Sequence, residues 1–141
     1  YKLEAPKLFK LLVFNFLFSN GDAHFKNFSI LETNMGDFSL SPAYDLLNTR
    51  IHVEDADFAL EDDLLPRNIA VGNVWKQFNL LADKAEINLK QKDAIFNKLL
   101  TNSDKVKQLI EASYLNDKIK RNYLQAYQTR LKKLKKHMQK V

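Results

Sequence analysis

Asn20-Gly21-Asp22-Ala23-His24-Phe25-Lys26-Asn27 is the stretch that decides how this chain is interpreted, and Ser41-Pro42-Ala43-Tyr44-Asp45 follows it on a later loop. Four residues separate Asp22 from Asn27. A carboxylate can accept the proton of a hydroxyl group. One carboxylate oxygen and one amide oxygen from different loops suit Mg²⁺, which takes oxygen ligands and keeps several waters. Asp22, Asn27 and Asp45 therefore predict a site that holds a hydroxyl group beside a metal-bound phosphate.

The order of these residues is that of the catalytic and metal-binding loops of protein kinases. In those enzymes an Asp accepts the substrate hydroxyl proton, an Asn beyond four intervening residues holds a metal ion, and a second Asp on a later loop holds the same metals. Asp-x4-Asn alone is a weak signal, and the addition of Asp45 after a short hairpin makes it strong. The usual His-Arg before the catalytic Asp is replaced by Asn20-Gly21, which excludes an arginine-based activation-loop switch.

Each of these residues also has a purely structural interpretation. Asp22 and Asn27 are common turn residues, and Asp45 could cap a short helix at Leu46-Leu47. His24 fits a structural role better than metal binding, because the histidines at positions 52 and 137 give it no ligand spacing. Lys26 could contact a phosphate or remain solvated. The combination of Asp22, Asn27 and Asp45 favours the catalytic interpretation for those three.

The sequence around the motif predicts a mainly α fold with one small β-hairpin. Pro6 suits the first turn of a helix, and the apolar stripe that follows predicts a buried helix, ended by Asn20-Gly21, on which the Asp22 loop is mounted. Residues 28–31 and 38–40 are predicted strands, joined by a turn at 33–37. Residues 46–72 look irregular, with a possible strand at 58–60.

From residue 73 onward the pattern is helical. Helices are predicted over 74–85, over 90–100, from a cap at Ser103 or Asp104 to residue 114, and from a cap at Asn116 or Asp117 to the end of the chain. Trp75, Phe78 and Tyr127 follow helical spacing, which favours core positions over a base-stacking platform. We expect one lobe, with the catalytic and metal loops at 20–49 and a helical subdomain at 73–139.

Composition narrows the class of protein. The 141 residues are 45% hydrophobic, enough for a core, and three Gly and three Pro argue against an all-β fold. The absence of Cys excludes disulfides and thiolate metal sites, and no apolar stretch is long enough for a membrane span, so a cytoplasmic protein is expected. The net charge is +5, and the charged residues are unevenly distributed along the chain. Residues 54–63 are mostly acidic, and residues 130–140 are mostly basic.

The motif residues resemble one family. Gly21-Asp22-Ala23-His24-Phe25-Lys26-Asn27-Phe28-Ser29, followed by Leu40-Ser41-Pro42-Ala43-Tyr44-Asp45-Leu46-Leu47-Asn48-Thr49, looks like the C-terminal lobe of the HipA family. Its members are serine/threonine kinases that act as toxins in bacterial toxin–antitoxin systems. The resemblance spans about residues 8–50. The loop is also similar in part to the Gly-Asp-x-His-x-x-Asn of aminoglycoside and choline kinases, but the segment 41–45 favours HipA.

The resemblance implies a role for each site residue. Asp22 would be the catalytic Asp, and Lys26 would approach the γ-phosphate of ATP. Asn27 and Asp45 would bind the metal, with His24 in the same cofactor-binding loop. The family implies ATP and Mg²⁺ as cofactors, a protein substrate that is an aminoacyl-tRNA synthetase in known members, and a DNA-binding antitoxin as partner.

A kinase also needs an N-terminal lobe, with a glycine-rich loop over the phosphates and a lysine on a strand. The glycines of this chain are only Gly21, Gly36 and Gly72, and five residues precede the first helix. We therefore expect the N-lobe in a trimmed part of the same protein or on a separate chain, and little turnover by this lobe alone. Two alternatives stay open: a non-catalytic module whose basic final helix contacts DNA or an antitoxin, and a lobe of a small-molecule kinase.

Overall fold

The structure, a computed structural model, describes residues 1–23, 25–49 and 74–138, without the side chains of residues 25 and 136–138. Within these ranges it contains five α-helices, one 3-10 turn and one two-stranded antiparallel sheet. The predicted mainly α fold with a single hairpin is confirmed. His24, the possible strand at 58–60 and the acidic stretch 54–63 lie outside the described residues. In the described ranges, no helix has the length and apolar character needed to cross a membrane.

Helix α1, Ala5–Leu17, carries the motif at its C-terminal end. Proline occupies its first turn, where a missing N–H costs nothing. Its buried side chains lie on several sides of the helix, as the sequence predicts, and they are Phe9, Leu12, Val13, Asn15, Phe16 and Leu17. The Glu4 carboxylate at its start accepts a hydrogen bond from the Leu40 N–H at 2.8 Å. This bond joins the start of α1 to the end of the hairpin that follows the motif.

The hairpin consists of β1, Ile30–Glu32, and β2, Phe38–Leu40, paired in the register Ile30↔Leu40 and Glu32↔Phe38. Gly36 has a φ of +79° in the turn, a conformation that glycine adopts without steric cost. Strand β1 begins two residues later than predicted. Phe28 instead packs against the core, which removes it from the ladder.

Four further helices follow: α2, Val74–Lys84; α3, Leu89–Leu100; α4, Ser103–Ala112; and α5, Asp117–Met138. The Asn116 side-chain oxygen Oδ1 accepts the Ile119 N–H at 2.9 Å, so the predicted cap of α5 by Asn116 is confirmed. The predicted cap of α4 by Ser103 or Asp104 is wrong. Asn102 occupies the N-cap position without a capping bond, and its backbone angles (φ −92°, ψ 23°) lie outside the extended region that caps usually adopt. Its side-chain Nδ2 donates to the Lys98 carbonyl of the preceding helix. Helix α4 also ends at Ala112, short of the predicted residue 114.

Helix α1 is the centre of the core, in contact with α3 and α5, while α2 and α4 pack against α5. The Phe9 ring meets the rings of Phe78 and Phe96 edge to face, at centroid distances of 6.0 and 5.7 Å, an arrangement favoured by the ring quadrupoles. Phe78 and Tyr127 are buried and Trp75 packs against the core, which confirms their predicted core positions. The helix that mounts the motif is thus held from several sides.

Candidate active site

The Asp22 loop leaves α1 through a tight turn. The Asn20 N–H donates to the Asn15 carbonyl at 2.9 Å, and Ser19 has a φ of 55°. Many helices end with a residue whose backbone has the left-handed conformation, and that residue is usually glycine. The sequence predicted that Asn20-Gly21 would make this turn, but the positive φ falls on Ser19. The burial of the Asn20 side chain behind the turn accompanies this shift of one residue.

Asn27 closes the Asp22 loop on itself. It ends a short 3-10 turn, Phe25–Asn27, and its side-chain Nδ2 donates to the Asp22 carbonyl at 2.7 Å. This bond fixes the orientation of the amide, and Oδ1 is then the atom of Asn27 that can act as a metal ligand. The alternative that Asn27 is only a turn residue is compatible with the Nδ2 bond, because one amide can serve both purposes.

Asp45 reaches the same region from the other side of the hairpin. Its backbone carbonyl accepts a hydrogen bond from Asn20 Nδ2 at 3.3 Å, so the residue is tied to the loop that carries Asp22. Asp45 has a φ of 52°, in the left-handed region that non-glycine residues enter uncommonly and that Asp tolerates better than most. Such conformations concentrate at functional sites, where the surroundings hold them.

Thr49 forms a second connection between the two loops. Its Oγ1 accepts the Gly21 N–H at 2.9 Å and donates to the Ser19 carbonyl at 3.1 Å. The Thr49 N–H also donates to the Ser19 carbonyl at 3.1 Å. The segment after Asp45 is therefore fastened to the turn before Asp22 by three hydrogen bonds, and Thr49 acts as a structural residue of this loop.

Tyr44 connects the start of the hairpin to its end. Its hydroxyl donates to the Lys26 carbonyl at 3.1 Å and shares a hydrogen bond with Ser29 Oγ at 2.7 Å. The Ser41 N–H donates to the Ser29 carbonyl at 2.8 Å. Sequence reasoning missed Tyr44 and Ser29 as connecting residues. The signal available was the position of Tyr44 directly before Asp45, but nothing in the sequence shows which carbonyl its hydroxyl reaches.

The predicted site residues occupy different environments. Asp22 and Asn27 are half-buried and Asp45 is exposed, and the bonds described above bring the backbones of all three into one network. Lys26 enters that network through its backbone carbonyl, and its side chain is exposed. His24 lies outside the described residues. The roles assigned to Asp22, His24, Lys26, Asn27 and Asp45 stay predictions.

The donor set fits a magnesium site of modest charge. In the described ranges, no group of three or more His, Asp or Glu side chains lies close enough to hold a metal ion. A site built from the Asn27 amide oxygen and the Asp45 carboxylate contains one carboxylate, so it would not form such a group. Mg²⁺ is commonly bound by one or two carboxylates together with phosphate oxygens and waters. Asn27 and Asp45 therefore fit the cation that the resemblance implies.

A polar floor lies beneath the two loops. The Asn48 side chain is buried beside Tyr123 of α5, and burial raises the pKa of the Tyr123 phenol while Asn48 offsets part of that rise. A cavity of about 60 Å³ adjoins this floor and is lined by Phe14, Asn15, Phe18, Asn20, Leu46, Leu47 and Tyr123. The buried polar side chains of Asn15, Asn20 and Asn48 and the half-buried Tyr123 therefore lie beneath the loops beside apolar side chains such as Phe14 and Phe18.

Comparison with known proteins agrees with this arrangement. A Sinorhizobium fredii protein named "Putative kinase Y4dM" is 41% identical over 56 residues, which are 40% of this chain and 14% of that protein. The sequence model of the family described as HipA-like C-terminal domain matches residues 2–111. That match includes both loops, the hairpin and helices α1 to α3, and covers well over half of the chain. The chain therefore belongs to the HipA-like C-terminal domain family.

Proposed function

We propose that this chain supplies the catalytic and metal-binding loops of an ATP-dependent serine/threonine kinase of the toxin type. The observation that carries the proposal is the pair of asparagine bonds: Asn27 closes on the Asp22 carbonyl at 2.7 Å and Asn20 ties the Asp45 carbonyl at 3.3 Å. These bonds join the backbones of the segments that carry Asp22, Asn27 and Asp45, which supports the proposal that the three side chains act together. Phosphoryl transfer depends mainly on such positioning and on charge stabilisation.

Each residue has a separate role in the proposed reaction. Asp22 accepts a hydrogen bond from the substrate hydroxyl and orients it for attack. Asn27 Oδ1 and the Asp45 carboxylate hold the metal. The exposed Lys26 side chain is free to swing toward a phosphate oxygen, where its charge would offset the charge of the transferred group. When bound, ATP and Mg²⁺ supply the phosphoryl group and the positive charge that stabilises it in the transition state.

Support from relatives concerns the family and a short segment. The family membership and a relative with kinase in its name favour phosphoryl transfer. The activity of the whole protein, a contribution from an N-terminal lobe in the same or a separate chain, and a cytoplasmic setting are parts of the proposal. So are a protein substrate such as an aminoacyl-tRNA synthetase and a DNA-binding antitoxin as partner.

One observation favours a second candidate function, direct contact with DNA or an acidic partner. Helix α5 presents exposed basic residues at helical spacing, with Arg121, Lys132 and Lys135 on one side. The residues between them on that side are Gln125 and Gln128, so no carboxylate interrupts it. Phosphate contacts by such residues would make DNA affinity fall steeply with salt concentration. A salt slope near zero would remove this candidate.

The test of the kinase proposal uses Asp22→Asn and Asp45→Asn in the full-length gene product. Each change keeps the size of the side chain and removes the carboxylate. Asp37→Asn is the matched control, because Asp37 lies exposed in the hairpin turn, away from the two loops. Transfer of ³²P from γ-labelled ATP to proteins of a heat-treated bacterial extract is followed by phosphoamino-acid analysis.

Loss of a positioned general base typically lowers the rate by a factor of about 10² to 10⁴. We expect Asp22→Asn to lose phosphoserine and phosphothreonine formation to that extent, and Asp45→Asn to lose it because the proposed metal site would keep no carboxylate. Asp37→Asn should retain it. Retention of activity by either of the first two variants would contradict the assigned roles. Transfer to choline or kanamycin, without transfer to protein, would support the small-molecule alternative.

A further inference from the structure

Asn20 lies at the junction of the two loops, with its side chain 4% exposed. Its Nδ2 is within hydrogen-bond distance of two acceptors, Asn15 Oδ1 at 3.4 Å and the Asp45 carbonyl at 3.3 Å. Two oxygen acceptors on the same side require that the nitrogen, and not Oδ1, faces them. The amide orientation is thus fixed by its neighbours, and the Asn20 side chain joins α1 to the metal loop.

The bond from Asn20 acts on a residue in an uncommon conformation. Asp45 is exposed, has a φ of 52°, and is followed by the exposed Leu46 and Leu47. Because Leu46 and Leu47 are 45% and 54% exposed, hydrogen bonds to the backbone contribute strongly to the position of this segment. The cavity of about 60 Å³ between Asn20, Leu46 and Leu47 leaves room for the segment to relax inward if the Asn20 bond is lost.

The position of Asn20 in the sequence adds a chemical argument. Asn20 precedes Asp22 by two residues, where the His-Arg-Asp loop of protein kinases has histidine. Asparagine Nδ2 and histidine Nδ1 are both attached to Cγ, so each can present an N–H donor at the same distance from the backbone. A leucine at this position has a volume similar to that of histidine and no donor at all.

We propose that Asn20 is a positioning residue, which sets the Asp45 loop relative to Asp22 by donating its Nδ2 hydrogen to the Asp45 carbonyl. Asn20 touches neither the substrate nor the metal in this proposal. The inference rests on the proposed function, because it assigns Asn20 a role in preparing the metal site of that function. It goes beyond that function because Asn20 is not one of the three residues, Asp22, Asn27 and Asp45, to which the chemistry is assigned.

The experiment compares Asn20→Leu, Asn20→His and the matched control Asn79→Leu in the full-length gene product. Asn79 is half-buried and, like Asn20, donates its Nδ2 to a backbone carbonyl, that of Trp75 at 2.8 Å, but it lies in α2. Hydrogen exchange of the backbone amides of residues 43–49 is followed by mass spectrometry without metal. Affinity for Mn²⁺, in the presence of a non-hydrolysable ATP analogue, is followed by electron paramagnetic resonance.

We expect Asn20→Leu to speed exchange in residues 43–49 at least fivefold and to weaken Mn²⁺ binding about fivefold, the effect of one neutral hydrogen bond. Asn20→His should recover most of both losses, and Asn79→Leu should change neither. Unchanged exchange in Asn20→Leu, or equal losses in the leucine and histidine variants, would overturn the positioning role. Absence of Mn²⁺ binding by the unaltered full-length gene product would instead contradict the proposed function, whatever the exchange result.

Discussion

Replacing Thr49 with valine tests how strongly the two loops are fastened together. Valine keeps the shape of the threonine side chain and removes its hydroxyl. The Gly21 N–H then loses its acceptor at 2.9 Å, and the Ser19 carbonyl loses one of its two donors and keeps the Thr49 N–H at 3.1 Å. A neutral hydrogen bond contributes about 1 kcal/mol, and a donor left unsatisfied in a buried place costs about 1–3 kcal/mol. Because the Gly21 N–H is only partly buried, we expect Thr49→Val to lower the free energy of unfolding by about 2 kcal/mol.

The assay is urea denaturation of the full chain, followed by circular dichroism, with Thr129→Val as the matched control. Thr129 Oγ1 donates to the Gln125 carbonyl at 2.8 Å on the exposed side of α5, so the same chemical change should cost less than about 0.5 kcal/mol there. The comparison cancels most effects of the substitution on the unfolded chain. Equal unfolding midpoints for the two variants would refute the inference that the Thr49 hydroxyl holds the loops together.

Three further predictions follow from the core and the helix ends. Phe9→Ala should lower the free energy of unfolding by about 3–5 kcal/mol, whereas Phe38→Ala, at a position 64% exposed, should change it by less than about 1 kcal/mol; urea denaturation separates the two. Asn116→Ala removes the cap of α5 and should cost about 1 kcal/mol, seen as a lower Tm. Burial raises the pKa of Tyr127, so this residue stabilises the fold below its unfolded pKa and stops doing so as the pH rises through its folded pKa. Tyr127→Phe should make the loss of stability above about pH 10 shallower, and a pH titration of unfolding in which both proteins lose stability equally would contradict that assignment.

The residues whose contacts are local were predictable. Pro6 at the start of α1, Asn116 before α5 and the turn containing Gly36 act through their own backbone or through N–H groups three residues away, and short-range rules describe such interactions well. Where two local solutions compete, the rules fail. The Asn102 side chain donates to the Lys98 carbonyl at the end of α3 and does not cap α4. Only two residues separate α3 from α4, so one side chain lies within reach of both helix ends.

The helical spacing of apolar residues also predicted the core, because burial of an apolar stripe is the main driving force for packing. Phe9, Phe78 and Tyr127 are buried as that spacing requires. The spacing did not reveal which rings meet. That outcome depends on how α1, α2 and α3 approach one another, and the approach is a property of the whole packed core.

The sequence by itself determined the chemical types available at the site and their order. Asp22, Asn27 and Asp45 are present in the order and spacing on which the proposed phosphoryl-transfer site depends, and the type of each side chain is given by the sequence whatever the fold. Only the tertiary structure decided how the two loops are joined. The bonds from Asn20 to Asp45 and from Thr49 to Ser19 span more than twenty residues of sequence. No local preference encodes such contacts, since they exist only once α1 and the hairpin have packed and brought the two loops within hydrogen-bond distance.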